Sequence, residues 1–241
     1  MARPLLAVIP YAGSEKLVQM TARMVGELRP TLSDHDCVEL VNNGSRMLTP
    51  QDIVDWPFGV LNLPKNVGFG PGINAALKDI RWKGDVLVLN NDLSFPQADW
   101  LKLLRQQQAE DERDNLTYIY APRTNCTATP EACKDGPEDK PAQRVREVSA
   151  YCWLVPAKVL ERLRPRAGFE LFPPDFPNYG SDNSAAAWIR FLFGHTPFKV
   201  VHRAFVKHAK GQTAKETGDR PGDPQVLKRL RQYIRQHNLP A

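Results

Sequence analysis

Cysteine is scarce in this sequence, and its spacing excludes the common cysteine-based metal sites. The chain of 241 residues has four cysteines, and no two of them show the C-x-x-C spacing of zinc ribbons or thioredoxin-like redox motifs. Cys126 and Cys133 lie in a polar loop where a bridge or a metal site is conceivable, but we favour free thiols for both. The same interpretation applies to Cys37 and Cys152, which are isolated in the sequence.

Long apolar runs are also lacking. No stretch approaches the roughly 20 apolar residues that span a bilayer, so we expect no transmembrane segment. The apolar part of the N-terminal "MARPLLAVIPYAGS" is too short for a signal peptide and predicts a first strand instead. With 42% hydrophobic and 24% charged residues, the composition predicts one globular domain, or one domain with a tail, in a cytoplasmic protein. The net charge of +5 suits an anionic partner without naming one.

The common nucleotide-binding fingerprints are missing as well. The G-x-x-x-x-G-K-[ST] motif of P-loop proteins does not occur, and the turn after the first predicted strand reads "PYAGSE" rather than G-x-G-x-x-G. The glycine-rich stretch "GFGPG" at 68–72 follows the third predicted strand, where a dinucleotide fold does not place it. These absences argue against an NAD dehydrogenase and against a P-loop NTPase.

Short apolar runs and helical periodicity do alternate along the chain. The predicted strands are 5–9, 37–41, 59–63, 85–89, 116–121, 148–155 and 198–206. The predicted helices are about 14–28, with Ser14 as a cap, 72–80, 98–110, 157–163, 184–193 and one that starts at Asp223-Pro224. Residues 122–147 lack apolar periodicity and predict a long loop. This alternation is typical of an α/β protein with a largely parallel sheet.

A polar cluster follows the fourth predicted strand. The apolar run 86–89 leads directly into Asn90, Asn91 and Asp92. Polar side chains at the end of a buried strand are costly unless they have a role. From these residues alone, an ordinary turn is the alternative, because Asn and Asp favour turns.

The motifs at the strand ends together resemble the family 2 glycosyltransferases, particularly the rhamnosyltransferase-like branch. The segments that carry the resemblance, in order, are "VIPY", "LVNNGS", "NVGFGPGINAAL", "VLVLNND", "VSAYCWLVPAKVLERL", "FPNYGSDNSAAAWIRFLFG" and "HAKGQT", and they cover roughly residues 5–213. The resemblance implies a GT-A fold, a single Rossmann-like domain with a mostly parallel central sheet flanked by helices. We expect that domain at 1–215, with a nucleotide-sugar half at about 1–121, an acceptor half at about 148–215 and the loop 122–147 between them.

The resemblance also implies a metal site. Asp92 stands for the acid of the family's DxD element, which coordinates a divalent cation, Mn²⁺ or Mg²⁺, that bridges the phosphates of a nucleotide-sugar. Asn90 and Asn91 replace the first acid of that element. His208 matches a late histidine of the family that can touch the metal or the diphosphate, and Lys210 beside it would help to neutralise the leaving diphosphate.

The donor-binding residues that the resemblance implies are spread over the strand ends. They are Pro10, Tyr11, Asn42, Asn66, Gly68, Phe69, Gly72, Asn74, Asn90, Asn91, Arg190 and Lys210. Asn42 stands where the family usually has an Asp that contacts the base, so UDP-, dTDP- and GDP-linked donors all stay open. For Arg190, a salt bridge within the protein is an equally good interpretation.

Asp182 matches the family's catalytic base. The family pattern is E-D-x-D, whereas this chain reads Ser181-Asp182-Asn183-Ser184 and keeps one acid. A carboxylate there can take the proton of the acceptor hydroxyl, although it can also simply cap the following helix. The implied function is an inverting, metal-dependent glycosyltransferase of the hexosyltransferase type, whose acceptor is a glycan or a hydroxymethylated base in DNA. A non-catalytic GT-A module that binds a nucleotide-sugar or a glycan is the alternative.

The segment 216–241 ends in a predicted amphipathic and basic helix, "PQVLKRLRQYIRQH". Its apolar face comprises Val226, Leu227, Leu230, Tyr233 and Ile234. Its basic residues are Lys228, Arg229, Arg231 and Arg235. Two interpretations remain open: a helix packed on the domain with a solvated basic face, or a contact for an anionic acceptor such as a membrane surface or a nucleic acid.

Overall fold

The computed structural model describes residues 3–11, 15–44, 59–125, 127, 129–168, 170–176, 180–209 and 224–239. A few predictions concern residues outside these ranges. They are the predictions on Ser14, on Cys126, on Lys210 with the rest of "KGQT", and on the Asp223 cap.

Nine strands form the central sheet of the described chain. They are β1 (Leu5–Tyr11), β2 (Cys37–Asn43), β3 (Gly59–Leu63), β4 (Asp85–Leu89), β5 (Leu93–Ser94), β6 (Ile119–Thr124), β7 (Gln143–Val145), β8 (Cys152–Val155) and β9 (Phe198–His208). Their order across the sheet is β3-β2-β1-β4-β8-β6-β9-β5, and β7 pairs with β9. The pairs β3/β2, β2/β1, β1/β4 and β6/β9 are parallel, whereas β8 runs antiparallel to β4 and β6.

Six α-helices flank this sheet within the described residues. They are α1 (Glu15–Leu28), α2 (Phe69–Ile80), α3 (Trp100–Arg113), α4 (Ala157–Ala167), α5 (Ser181–Phe193) and α6 (Pro224–Gln236). β1 and β4 are buried along their whole length, as expected for continuous apolar runs inside a parallel sheet that is covered on both faces. The predicted α/β class with a mostly parallel central sheet is confirmed.

The stretch 122–147 contains more regular structure than its sequence suggested. β6 extends to Thr124, and β7 pairs antiparallel with β9 through the register Val145–Phe198. The sequence of β7, "QRV", is too short and too polar to show a period of two. The strand predicted at 148–155 is also shorter than expected, because only Cys152–Val155 has strand geometry.

The parallel register brings several predicted site residues to one edge of the sheet. Tyr11 is paired with Asn42, and Asn42 with Asn62, so β1, β2 and β3 end side by side. Leu89, the last residue of β4, is paired with Cys152, the first residue of β8. The carboxyl ends of the parallel strands and the start of β8 therefore share an edge, where open α/β sheets bind their ligands.

α6 packs on α5 through its apolar side. The indole Nε1 of Trp188 donates a hydrogen bond to the Tyr233 hydroxyl at 2.8 Å, and the Tyr233 ring stands edge-on to Phe176 with ring centroids 5.2 Å apart. Leu227, although part of the predicted apolar face, is 44% exposed. None of the helices in the described ranges has the length and apolar character needed to cross a membrane.

Candidate functional site

Asp92 and His208 meet at the carboxyl edge of β4. β5 follows Asp92 directly and pairs antiparallel with the end of β9, so that Leu93 lies opposite His208. The backbone N–H of Ala209 donates to the Asp92 carbonyl at 2.9 Å and closes this pairing. His208 Nε2 then lies 3.0 Å from Asp92 Oδ1, and the Asp92 side chain is only 4% exposed. Two polar side chains that are 116 positions apart in the sequence are thus fixed against each other by a short strand pair.

Asn90 completes this cluster. Its Nδ2 lies 3.2 Å from the same His208 Nε2 that contacts Asp92. One ring nitrogen cannot both donate to the carboxylate and accept from the amide, so we assign the Asn90 amide with its oxygen toward the ring. The Nε2–H of His208 then donates to the oxygens of both Asn90 and Asp92. The two oxygens and the ring nitrogen are also groups that bind divalent cations.

Tyr151 and Asn125 contact two members of this cluster. The backbone N–H of Asn90 donates to the Tyr151 carbonyl at 2.9 Å. The Tyr151 ring stacks against the His208 ring at a centroid distance of 6.0 Å, and the backbone N–H of His208 donates to Asn125 Oδ1 at 2.8 Å. These contacts hold the backbone of Asn90 and of His208 in place and cover one face of the imidazole.

The residues of the cluster fit a divalent cation. Carboxylate and amide oxygens are hard ligands that suit Mn²⁺ and Mg²⁺, and an imidazole nitrogen is a common transition-metal ligand, which favours Mn²⁺ of the two. Within the described ranges, no group of three or more His, Cys, Asp or Glu side chains is placed to hold a metal. Asp92, His208 and the Asn90 amide would hold such a cation at this edge, and its other ligands would come from water or a bound molecule.

Asp182 lies in the first turn of α5 and contacts Ala150, in the segment that leads into β8. Its Oδ1 accepts from the Asn183 N–H at 3.0 Å, and its Oδ2 faces the Ala150 N–H at 3.4 Å. Burial raises the pKa of Asp182 above its ordinary value, the Glu147 carboxylate raises it further, and the two backbone N–H groups oppose these effects. Ala150 precedes Tyr151, so adjacent residues of one segment contact Asp182 and Asn90.

Arg190 contacts an acid of the protein. Its guanidinium lies 3.5 Å from Glu147 Oε2, and Asn183 Nδ2 donates to Glu147 Oε1 at 3.3 Å. Burial lowers the pKa of Arg190, and the Glu147 carboxylate counteracts this shift. The salt-bridge interpretation of Arg190 matches this geometry, and its role as a donor ligand stays a prediction.

Tyr11 and Asn42 lie at the carboxyl ends of β1 and β2, along the same edge of the sheet. Tyr11 is 3% exposed, and burial raises its pKa to about 12, so its hydroxyl is neutral at physiological pH. Asn42 Nδ2 donates to Asn62 Oδ1 at 2.9 Å, which orients the Asn42 side chain across the strand pair. Pro10 is buried beside them, and a Cβ added at Gly72 would lie 3.7 Å from its Cβ. Pro10 is thus next to Gly72, and Tyr11 is paired with Asn42, while the role of these four residues in donor binding stays a prediction.

The loop between β3 and α2 is shaped by asparagines. Asn43 accepts from the Val67 N–H at 2.8 Å and donates to the Gly68 carbonyl at 2.9 Å, while Asn66 Oδ1 accepts from the Gly68 N–H at 2.9 Å. Gly68 has a φ of +94°, and Gly44 has a φ of +79° with the Lys65–Asn66 backbone 2.5 Å from where a Cβ would stand. Only glycine fits at Gly44.

Two predicted donor ligands are held inside the protein. Asn74 Nδ2 donates to the Phe172 carbonyl at 2.6 Å, and its Oδ1 accepts from the Leu171 and Phe172 N–H groups at 3.0 Å each. Asn91 is 4% exposed, and its Nδ2 donates to Thr21 Oγ1 at 3.1 Å. These hydrogen bonds tie both amides to other parts of the protein, and their role as donor ligands stays a prediction. Phe69 likewise packs edge-on against Phe172, with ring centroids 5.6 Å apart.

Solved structures of the same architecture exist, although no protein-family model and no curated protein matches the sequence. GalNAc-T7 with UDP, GalNAc and Mn²⁺ aligns with a TM-score of 0.70 at 11% identity, over 97% of this chain and 48% of that one. S. aureus TarS 1-349 with UDP-GlcNAc aligns with a TM-score of 0.65 at 15% identity, over 94% of this chain and 65% of that one. The mannosyltransferase PcManGT from Pyrobaculum calidifontis with GDP-Man and Mn²⁺ aligns with a TM-score of 0.57 at 14% identity, over 95% and 68%.

The chain has the GT-A fold. It spans about half of the GalNAc-T7 chain and somewhat less than two thirds of the TarS chain. At these identities the likeness concerns the fold, and the GT-A sheet edge is where the candidate site described above lies. The branch of glycosyltransferases to which this chain is most similar is left open by these structures.

Several contributors to the GT-A edge were not found in the sequence. Each of these contacts a predicted site residue that is distant in the chain: Asn43 contacts Gly68, Asn125 and Tyr151 contact His208, and Glu147 contacts Arg190. Asn43 is the one with a local signal, because it follows Asn42 in the "NNGS" turn. The others lie in stretches whose patterns indicate only a strand or a loop.

Proposed function

We propose that this protein is an inverting, metal-dependent glycosyltransferase that moves a sugar from a nucleotide-sugar to an acceptor hydroxyl. The observation that supports this most is the convergence of Asn90, Asp92 and His208, with contacts of 3.0 and 3.2 Å, beside the half-buried carboxylate of Asp182. The rhamnosyltransferase-like motifs of the sequence agree with this assignment. A cytoplasmic location stays a prediction from the sequence.

In this proposal, Asp92 and His208 hold a divalent cation with the help of the Asn90 amide. The chemistry that Mn²⁺, or Mg²⁺, supplies there is neutralisation of the leaving diphosphate. Pro10, Tyr11 and Asn42 form the wall beside which the base of the donor lies, and the backbone of the Asn66–Gly68 loop approaches the nucleotide. UDP-, dTDP- and GDP-linked sugars are the candidate donors, and UDP, UDP-GlcNAc and GDP-Man are the molecules bound in the similar structures.

Asp182 is the proposed base. Burial shifts the pKa of Asp182 upward, toward the operating pH at which a general base works best. The Ala150 and Asn183 N–H groups orient the carboxylate. A single base that activates the acceptor hydroxyl for direct attack on the anomeric carbon corresponds to inversion. The acceptor in this proposal is a glycan or a hydroxymethylated base in DNA.

The proposal is tested by a donor-hydrolysis screen. UDP-, dTDP- and GDP-sugars are incubated with the protein and Mn²⁺, Mg²⁺ or EDTA, and release of the nucleoside diphosphate is measured. We expect cleavage of one nucleotide class that depends on the cation and is lost in Asp92→Ala. No cleavage and no metal-dependent donor binding in any of these mixtures would overturn the proposal.

A non-catalytic GT-A module is the second candidate, because the acids are sparse. Asn90 and Asn91 stand in place of one acid, and Ser181 and Ser184 stand where the E-D-x-D pattern has Glu and the second Asp. Such a module would bind a nucleotide-sugar in a metal-dependent manner but release no nucleotide. The screen separates the two candidates when donor binding is measured in the same samples.

A further inference from the structure

Glu39 is a buried acid in the part of the sheet formed by β1, β2 and β3. It lies in the middle of β2, and only 8% of its surface is exposed. Among the described residues, the influences on its carboxyl group are its burial and the negative charge of Asp79, and no Lys or Arg balances them. Acidic side chains are almost never buried without a partner, so this position needs a physical explanation.

The Glu39 carboxyl group occupies a notch that a glycine leaves open. Glu39 is paired with Gly59 of β3, which is the last strand in the order across the sheet. A Cβ added at Gly59 would lie 1.7 Å from Glu39 Oε2. The carboxyl group therefore fills the space that a side chain at position 59 would take, and it lies between two strands rather than in water.

The elements that pack most closely against β2 are β1, β3 and α2. β1 and β3 contain no charged residue, and the charged residues of α2 are Lys78 and Asp79. Gly72 marks the side of α2 that faces the sheet, because a Cβ there would lie 3.7 Å from Val41 Cγ1, on the same face of β2 as Glu39. Asp79 stands seven residues after Gly72 and so returns to that side, whereas Lys78 is rotated from Asp79 by about 100° around the helix. The helix therefore turns an acid toward Glu39 and its base away.

These surroundings favour the neutral form of Glu39. Burial, and after it the Asp79 charge, raises the pKa of Glu39 from 4.5 to about 7. The unfolded chain keeps the ordinary value, so near neutral pH the folded protein holds a proton that the unfolded chain has lost. The stabilisation from this proton is complete below pH 4.5 and is lost as the pH rises through about 7. Above that pH the notch contains an unpaired anion, which is costly unless water enters.

The elements around Glu39 also carry the proposed donor loop. Asn43, four positions along β2, accepts from the Val67 N–H at 2.8 Å and donates to the Gly68 carbonyl at 2.9 Å. That loop joins β3 to α2, so its shape depends on both elements being packed on β2. An anion at Glu39 acts on both of them, because it lies against Gly59 of β3 and repels the acid of α2.

We propose that Glu39 is a proton-dependent lock: with its proton it holds β2, β3 and α2 together, and without it these elements loosen and donor binding weakens. The donor part of this inference rests on the proposed function, whereas the loosening does not. The device lies away from Asp92 and His208, because β1 separates β2 from β4 in the sheet. Its titration is therefore separate from that of the proposed metal ligands.

The first measurement compares melting temperatures from about pH 5.5 to about pH 8.5. The test variant is Glu39→Gln, which keeps the shape of the side chain but cannot ionise. Over this range the folding equilibrium constant of the wild type should fall by about tenfold or more relative to that of the variant. For a chain of this size, that corresponds to a relative fall in melting temperature of roughly 3–6 °C.

Two further variants separate the lock from total charge. Asp79→Asn removes a charge that raises the pKa of Glu39 but keeps Glu39 itself, so its pH dependence should lie between those of the wild type and Glu39→Gln. Because Asp79 is exposed, this variant still tests the lock if Glu39→Gln does not fold. Glu161 is an exposed acid on α4, and Glu161→Gln removes one negative charge elsewhere. It should keep the pH dependence of the wild type.

The second measurement is donor affinity at the same pH values, with both proteins folded. UDP-, dTDP- and GDP-sugars are titrated in the presence of Mn²⁺ into the wild type and into Glu39→Gln. The ratio of wild-type to variant affinity should fall by a few-fold as the pH rises. Taking the ratio removes the contributions of Asp92, His208 and the cation, which are the same in both proteins.

Three outcomes would overturn the inference: the same pH dependence of melting in the wild type and Glu39→Gln, a wild type that gains stability relative to this variant as the pH rises, or a ratio of donor affinities that stays constant with pH. Each of them leaves the proposed function standing, because metal-dependent donor binding is still observed. Failure of the wild type to bind any donor at any pH rejects the proposed function and the donor part of the inference, while the melting curves still decide whether Glu39 locks β2, β3 and α2.

Discussion

The end of β4 and the start of α2 carry asparagines in equally good motifs, yet the structure uses them differently. At the end of β4, the side chains of Asn90 and Asp92 both contact His208 Nε2, so three polar side chains meet at the edge of the sheet. At the start of α2, Asn74 makes three hydrogen bonds to the Leu171 and Phe172 backbone. Polar side chains that meet where open α/β sheets bind ligands suit a binding site, whereas a side chain matched to backbone groups suits a scaffold.

Of the substitutions that test this difference between the two regions, Asp92→Ala should have the largest effect on activity. Asp92→Ala removes the carboxylate of the proposed metal site, so metal-dependent donor binding should vanish and turnover should fall by about 10³ or more. The melting temperature should change little, because the backbone bond from Ala209 to residue 92 remains. Donor titration with Mn²⁺ and with EDTA, beside a thermal melt, measures both. Donor affinity that is insensitive to EDTA and to this substitution would refute the metal site.

Asp182 should give the next largest effect, and a different one. Asp182→Asn keeps the shape and the acceptor oxygen but cannot take a proton at neutral pH. We expect turnover to drop by about 10² or more while donor affinity stays within a few-fold of wild type. The measurement is kcat with donor dissociation constants for both proteins. A variant with near-normal turnover would exclude Asp182 as the base.

Asn74 should show the opposite pattern to Asp92. Asn74→Ala leaves two N–H groups and one carbonyl of Leu171–Phe172 without partners, at a cost of about 2 kcal/mol for this half-buried side chain. For a chain of this size the melting temperature should fall by about 4–8 °C. Metal-dependent donor affinity, measured at a temperature at which the variant is folded, should change far less than in Asp92→Ala.

The control for this prediction is Asn74→Asp. The carboxylate still accepts from the two N–H groups, but its second oxygen faces the Phe172 carbonyl without a proton to donate, so the melting temperature should also fall below that of wild type while donor affinity stays close to it. If Asn74→Ala abolished donor binding and left the melting temperature unchanged, the contrast between the two regions would be broken, and Asn74 would be a donor ligand after all.

The same contrast explains how far the sequence alone could be interpreted. The strands and helices were predictable because apolar runs such as 85–89 and the stripe of α1 depend on local periodicity. β5 and β7 were not, since two and three residues carry no period. The partners of Asn74 and Asn91 lie 98 and 70 positions away, so no local pattern could show that these amides face the interior.

The smallest expected effect is a shift of the pH profile through Glu147. Its carboxylate raises the pKa of Asp182, and Asp182 must lose its proton to act as a base. Glu147→Gln keeps the acceptor oxygen that faces Asn183 but removes the charge, so the pKa of Asp182 should fall and the acid limb of kcat should move to lower pH. Removing the acid that pairs with Arg190 acts in the same direction, because an unpaired cation favours the ionised form of Asp182.

The control is Glu147→Asp, which retains the charge and should leave the acid limb closer to that of wild type. The readout is kcat against pH for the three proteins, with kcat at the alkaline plateau as the internal reference. A limb that stays in place in Glu147→Gln, or that moves to higher pH, would show that Glu147 does not set the ionisation of the base.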